Sequence, residues 1–171
     1  MGLLSKLLGK KSKNEMINPM DGLNELQKAM DNGFNLMPCE LYADISMVVD
    51  TPDNKPRFTY VKTDNGHITA YCVFVWADPV GSVPCFNIGY AVPEKYQHNG
   101  LAAEIIKKGI AELQNGGKRN KMSKFYIEAI IGLENHISQK LAKKFITNYS
   151  KKITDSHSGQ PAYQYIDLFQ S

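Results

Sequence analysis

Gln97-His98-Asn99-Gly100-Leu101-Ala102 stand where a β-rich run ends and a stretch of helical period begins. A turn at that place aims its own backbone N–H groups, and the unpaired N–H groups of the helix's first turn, at one point. The helix dipole adds partial positive charge there, and Gly100 withholds the Cβ that would keep a phosphate off the backbone. The chemistry implied is the holding of a phosphate or pyrophosphate. A plain connection is the alternative, because strand-turn-helix with one glycine occurs in many folds. Further on, alternation in Lys124–Ile131 sets Tyr126, Glu128 and Ile130 on one face and Phe125, Ile127, Ala129 and Ile131 on the other. A lone carboxylate among apolar neighbours suits work as a general base, directly or through water; an ion pair or an exposed edge position is the competing reading.

The elements around these residues follow from hydrophobic period and turn chemistry. Met20 to Met30 reads as a helix with Leu23, Leu26 and Met30 on one face, Asp21 as its cap and Asp31-Asn32-Gly33 beyond its end. Leu41 to Asp50 carries strand signals. Arg57–Thr63 and His67–Trp76, separated by Asp64-Asn65-Gly66, read as an antiparallel hairpin. A third strand, Cys85–Val92, follows a turn at Asp78-Pro79-Val80-Gly81. From Gly100 the period becomes helical, with Leu101, Ile105, Ile106, Gly109, Ile110 and Leu113 on one stripe and Asn115-Gly116-Gly117 as the stop. Lys124–Ile131 is a strand, Asn135–Tyr149 a helix with Ile137, Leu141, Phe145 and Tyr149 inward, and Ala162–Phe169 a closing strand. The order, antiparallel strands followed by β-α-β-α-β, predicts a mixed α/β (α+β) sheet.

Ile88-Gly89-Tyr90-Ala91-Val92-Pro93-Glu94, followed by Gln97 to Ala102, resembles the signature of the GNAT superfamily. Its coenzyme A loop is usually written Gln/Arg-x-x-Gly-x-Gly/Ala, and Gln97, Gly100 and Ala102 occupy the defining places. Tyr126-Ile127-Glu128-Ala129, then Glu134-Asn135-His136-Ile137-Ser138, resembles the second motif, particularly in the branch of the ribosomal-protein N-terminal acetyltransferases. By order of elements the resemblance covers Arg57 to Phe169. It implies a GNAT-like acyl-CoA N-acyltransferase fold and transfer of an acetyl group from acetyl-coenzyme A to a primary amine: a protein N-terminus, a lysine or a small molecule. It implies further that backbone near Ala91 and Val92 pairs with the pantetheine arm, that His98, Asn99, Gly100, Leu101 and Ala102 hold the pyrophosphate, that Asn135 contacts the arm from the far side, and that the Ser138 hydroxyl lies near the coenzyme sulfur. An ordinary first-turn helix serine is the competing reading of Ser138.

Two departures from the family pattern bear on turnover. Asn87 stands where the branch often has an acid, and Ala142 falls near the place of a tyrosine that serves many relatives as general acid. The base role then falls to Glu128 or a water chain and the acid role to Ser138, with Tyr90 and Tyr96 in reserve. A coenzyme A-binding module without turnover is the alternative.

Composition bounds the class. At 171 residues with 43% hydrophobic and 22% charged residues, the chain suits one globular domain, taken as 19–171 after an extension of residues 1–18. A net charge of +3 is too mild for a dedicated nucleic-acid binder and does not repel an anionic cofactor. Lys140, Lys143, Lys144, Lys151 and Lys152 read as a solvated helix face, with contact to nucleic acid or to the adenosine phosphate as the alternative. Cys39, Cys72 and Cys85 are odd in number, read as thiols and point to a reducing, cytoplasmic setting. His67, His98, His136 and His157 make no ligand spacing with them, so no metal is expected. No apolar run reaches the ~20 residues of a membrane-spanning helix. Leu3, Leu4, Leu7 and Leu8 among Lys6, Lys10, Lys11 and Lys13 describe a basic amphipathic helix, with contact to a membrane surface or a partner as a secondary reading. A homodimer is left open.

Overall fold

The computed structural model describes residues 14–171, so the helix expected over residues 1–13 lies outside the described residues. Helix α1, Pro19–Asp31, begins where Asn18 in an extended conformation accepts the Met20 N–H on its side-chain oxygen at 3.1 Å, with Pro19 at the first helical position. The expected cap, Asp21, sits instead in the first turn, where its charge complements the helix dipole.

Strands β1 (Met37–Pro38), β2 (Ser46–Asp50), β3 (Arg57–Asp64), β4 (His67–Val80), β5 (Val83–Ala91), β6 (Lys124–Gly132), β7 (Lys151–Thr154) and β8 (Pro161–Gln170) form one sheet in the order β1-β2-β3-β4-β5-β6-β8-β7. All neighbours are antiparallel except β5 and β6. Helices α2 (Leu101–Arg119) and α3 (His136–Phe145) complete the fold. The parallel pairing follows from the crossover through α2, which returns the chain to the same end of the sheet.

The two faces of the sheet carry two cores. Leu23 and Leu26 of α1 pack on Val48, Val61, Ile68, Tyr71, Val73 and Ala91. On the other face Ile105, Ile106, Ile110 and Leu113 of α2 meet Phe74, Phe86, Phe125 and Ile127, joined by Ala142 of α3. Each fully buried isoleucine or phenylalanine there is worth about 1.5–3 kcal/mol. Among the described residues no helix is long and apolar enough to cross a membrane, and no group of His, Cys, Asp and Glu is arranged to hold a metal ion.

Several expectations are corrected. Of Leu41–Asp50 only Ser46–Asp50 is strand. The preceding loop is instead fastened to α2 by the buried Glu112 carboxylate, which accepts the Glu40, Leu41 and Tyr42 N–H groups. β4 runs through Asp78 and Pro79 by means of a register shift between Ala77 and Val80, and the reversal comes at Gly81-Ser82. Asn115-Gly116-Gly117 does not stop α2. A Cβ on Gly117 would lie 2.5 Å from Ser171 Oγ and 3.2 Å from the Met122 carbonyl, so this glycine admits the chain end, while Asn120 caps the helix. α3 stops at Phe145. Ile146, buried to 8% exposure, follows it, and Ile137 and Tyr149, expected inward, are 72% and 86% exposed. The short strands β1 and β7 had no periodic signal long enough to read.

Candidate functional site

β5 and β6 pair only at Cys85↔Tyr126, Phe86↔Ile127 and Asn87↔Glu128. Beyond that register they part, although β4 stays paired to β5 as far as Ala91 and β8 to β6 as far as Gly132. The inner edge of β5 from Ile88 to Ala91 therefore presents backbone donors and acceptors with no strand opposite, a ready template for an extended amide chain.

Above this opening a short 3₁₀ turn, Glu94–Tyr96, leads into the loop before α2. His98 and Gly100 adopt positive φ, 64° and 72°. Gln97 donates its side-chain amide to the Val92 carbonyl at 3.1 Å, and Asn99 donates to the Tyr96 and Gln97 carbonyls, each at 3.2 Å. These side chains brace the loop, so its surface is left to backbone. Gly100 occupies the N-cap position of α2 without a side-chain cap, and the first intrahelical bond runs from the Glu104 N–H to the Gly100 carbonyl at 3.0 Å. The N–H groups of Leu101, Ala102 and Ala103 thus face out of the helix end. A Cβ at Gly100 would meet nothing within 4 Å, so the space above the glycine is open.

That space belongs to a cleft of about 310 Å³ between the loop and α3. Of the residues expected at a phosphate and cofactor site, Val92, Gln97, His98, Gly100, Leu101 and Ala102 line it. Ala91 turns its side chain to the α1 core, leaving its backbone on the free edge, and Asn99 lies behind the loop it braces. Asn135 caps α3, accepting the Ser138 N–H at 3.1 Å, and neither residue lines this cleft. Ile137, Lys140 and Leu141 form its far wall; the helical period reads Ile137 and Leu141 as core positions, whereas Ile137 is 72% exposed and faces the cleft. A larger cavity of about 410 Å³, at Trp76, Pro84 and Met122, lies at the other end of the β5–β6 pairing and is lined by no residue of a helix N-terminus.

The floor of the opening is the Asn87–Glu128 pair, on the face that carries α1. Register partners in a sheet point the same way, with Cβ atoms about 5 Å apart. Glu128 Oε1 accepts a hydrogen bond from Gln164 Nε2 on β8, a partner that becomes visible only once the β6–β8 register is known. The Asn87 Oδ1 is buried and receives no hydrogen bond from the described residues. Cys85, on the same face, has its thiol pushed up to about 11, first by burial and then by the Glu128 charge. On the opposite face the Tyr90 hydroxyl donates to the Ser138 carbonyl at 2.8 Å, joining β5 to the first turn of α3 across the gap. Burial raises the Tyr90 pKa, so the phenol remains a donor.

Comparison with known proteins gives the family and the fold. The family model described as "Acetyltransferase (GNAT) family" matches residues 25–146. No curated protein matches the chain. Among solved structures, an acetyltransferase of the GNAT family from Streptococcus pneumoniae superposes with a TM-score of 0.52 at 15% identity, covering 91% of this chain and 98% of that one. Mycobacterium smegmatis RimJ in complex with CoA-disulfide gives 0.52 at 14% identity, covering 68% and 54%. The acetyltransferase from Salmonella typhimurium that modifies the N-terminal serine of ribosomal protein L7/L12 gives 0.45 at 15% identity, covering 67% of this chain and 64% of that one. The chain thus spans less than two thirds of the length of the Salmonella and Mycobacterium proteins.

Proposed function

The chain belongs to the GNAT acetyltransferase family, and on that premise we propose that it transfers an acetyl group from acetyl-coenzyme A to a primary amine by direct attack. One observation carries the reading: a strand edge left unpaired from Ile88 to Ala91 runs up to an uncapped helix N-terminus at Gly100, with open space where a Cβ would be. An anionic pyrophosphate fits the second feature and an amide-bearing arm the first, because main-chain hydrogen bonds recognise both.

Backbone from His98 to Ala102, with the Ala103 N–H, holds the pyrophosphate, while Gln97 and Asn99 keep the loop in shape. The β5 edge from Ile88 to Val92 pairs with the arm. Asn135 fixes the first turn of α3 and so positions Ser138, and Ile137 and Leu141 cover the bound chain. When bound, acetyl-coenzyme A supplies a thioester carbonyl to which the acceptor nitrogen bonds as the carbon–sulfur bond breaks. Glu128 would take the proton released from that nitrogen, and the Ser138 hydroxyl would donate a hydrogen bond to the departing sulfur and pass it a proton drawn from water, so that the hydroxyl is restored. A thiolate is a good leaving group, with a conjugate acid of pKa about 8.5, so little acid assistance is needed. Calorimetric titration with acetyl-coenzyme A and coenzyme A tests the cofactor half; absence of binding overturns it.

The second reading, a coenzyme A-binding module without turnover, is favoured by Asn87, which takes up no proton where relatives often carry an acid, and by Ala142, which is buried and offers none. Thiol release measured over a panel of peptide N-termini, lysine derivatives, polyamines and small amines decides between the two. Steady release with any acceptor removes the second reading.

A further inference from the structure

At the point where β5 and β6 part, two acceptor groups lie side by side with unequal occupancy. Glu128 has Oε1 engaged by Gln164, and among the described residues no hydrogen bond reaches its Oε2. Asn87, its register partner, has an Oδ1 that nothing in the described residues serves. Buried acceptors are almost always paired, and the exceptions in native proteins mark a bound water, an ion or a ligand. Pro19 stands over Gly89, two residues further along β5, at 3.2 Å from where a Cβ would be, and forms a wall at the start of α1. In the other direction along the same face, where β5 and β6 are paired, Leu168 opposite Tyr126 is 38% exposed, so the sheet surface on that side of the pair is open to solvent. The last torsion of an asparagine is broad, so the Asn87 carboxamide turns its oxygen towards the opening at little cost.

We infer that Asn87 is the acceptor-orienting residue, and that the Asn87–Glu128 pair selects primary over secondary amines. The inference rests on the acetyl-transfer reading. A neutral primary amine carries a lone pair and two N–H groups. With one N–H on Glu128 Oε2 and the other on Asn87 Oδ1, the lone pair is left pointing at the carbonyl carbon, and Glu128 receives the proton after attack. A secondary amine has a single N–H, so one of the two acceptors stays unserved. Asparagine thus takes over half the work of the acid that relatives often carry here: it orients the nitrogen, while the carboxylate one strand away accepts the proton.

The test uses the full chain, a primary amine accepted in the panel and its N-methyl analogue. The wild-type kcat/KM for the primary amine exceeds that for the analogue by about tenfold to a hundredfold, the range for leaving one buried acceptor unpaired. Asn87→Ala lowers kcat/KM for the primary amine by a similar factor, leaves the acetyl-coenzyme A KM unchanged and brings the primary-to-secondary ratio close to unity. Asn87→Asp keeps an acceptor oxygen and the shape, so it retains the ratio while shifting the acid limb of the pH profile upward through like-charge repulsion with Glu128. Titration of the two amines into protein saturated with coenzyme A gives the same ranking by binding alone, and thermal melting confirms that both variants fold. Turnover by Asn87→Ala with an unchanged ratio, or equal binding of the two amines by the wild type, overturns the inference. Absence of thiol release with every amine overturns acetyl transfer itself, which is a different result.

Discussion

The two ends of the opening between β5 and β6 are built from different materials. At the upper end, from Val92 to Ala103, the groups proposed to work are backbone N–H groups, and the exposed side chains of Gln97 and Asn99 brace the loop through backbone carbonyls. At the floor the groups proposed to work are side chains, Asn87 and Glu128, brought together by strand register and tied to a third strand through Gln164. The first arrangement tolerates change in side-chain chemistry provided the backbone path is kept. The second depends on the identity of single residues. On the proposed reading, the loop end tolerates His98 and Asn99 because backbone carries its role, whereas the Asn87 side chain at the floor changes which groups can do the chemistry.

The largest effect that separates the two regions is expected from Glu128→Gln. It lowers turnover by about 10²–10⁴-fold, the range for losing a general base, while calorimetry shows unchanged affinity for coenzyme A. A fall in affinity as large as the fall in rate would erase the distinction between the ends. Gly100→Val acts the other way. It puts a β-branched residue at a φ of 72° and fills the open space, so coenzyme A affinity drops by about tenfold or more from backbone strain alone, with thiol release recovered at saturating cofactor. Tyr90→Phe lies between the regions: losing the bond to the Ser138 carbonyl costs about 1 kcal/mol of stability, read by denaturant unfolding, and raises the acetyl-coenzyme A KM a few-fold as the first turn of α3 loosens. Ile137→Ala gives the smallest change in the free protein, within about 0.5 kcal/mol because the side chain is 72% exposed. It nevertheless weakens cofactor binding, which sharpens the assignment of α3 as the far wall. Equal coenzyme A affinities for Ile137→Ala and the wild type would remove α3 from the cleft.

Features whose cause is local were readable beforehand. The helical stripe of α2, the Asp64-Asn65-Gly66 hairpin and the loop from Gln97 to Ala102 all lie within one stretch of chain, and their period or turn chemistry needs no partner to be recognised. Gly117 shows where that reasoning stops. Two adjacent glycines after an amphipathic run read as a helix stop, yet the helix continues because Gly117 is needed for the approach of Ser171, a residue at the far end of the chain. Tyr149 fails for a similar reason: its helical spacing is kept in the sequence, but the chain must leave α3 in time to enter β7.

The turn from Gln97 to Ala102 was legible in the sequence alone, because the strand end, Gly100 and the helix start that shape it lie within one short stretch of chain; its use as a phosphate cradle is what we propose. Glu128 was found by alternation, but its face, its neighbour Asn87 and its tie to Gln164 were decided by the tertiary structure. Strand register joins residues about 40 positions apart, and a shift of one residue would send every side chain to the other face. Only the folded sheet sets that register, through the packing of α1 on one side and of α2 and α3 on the other.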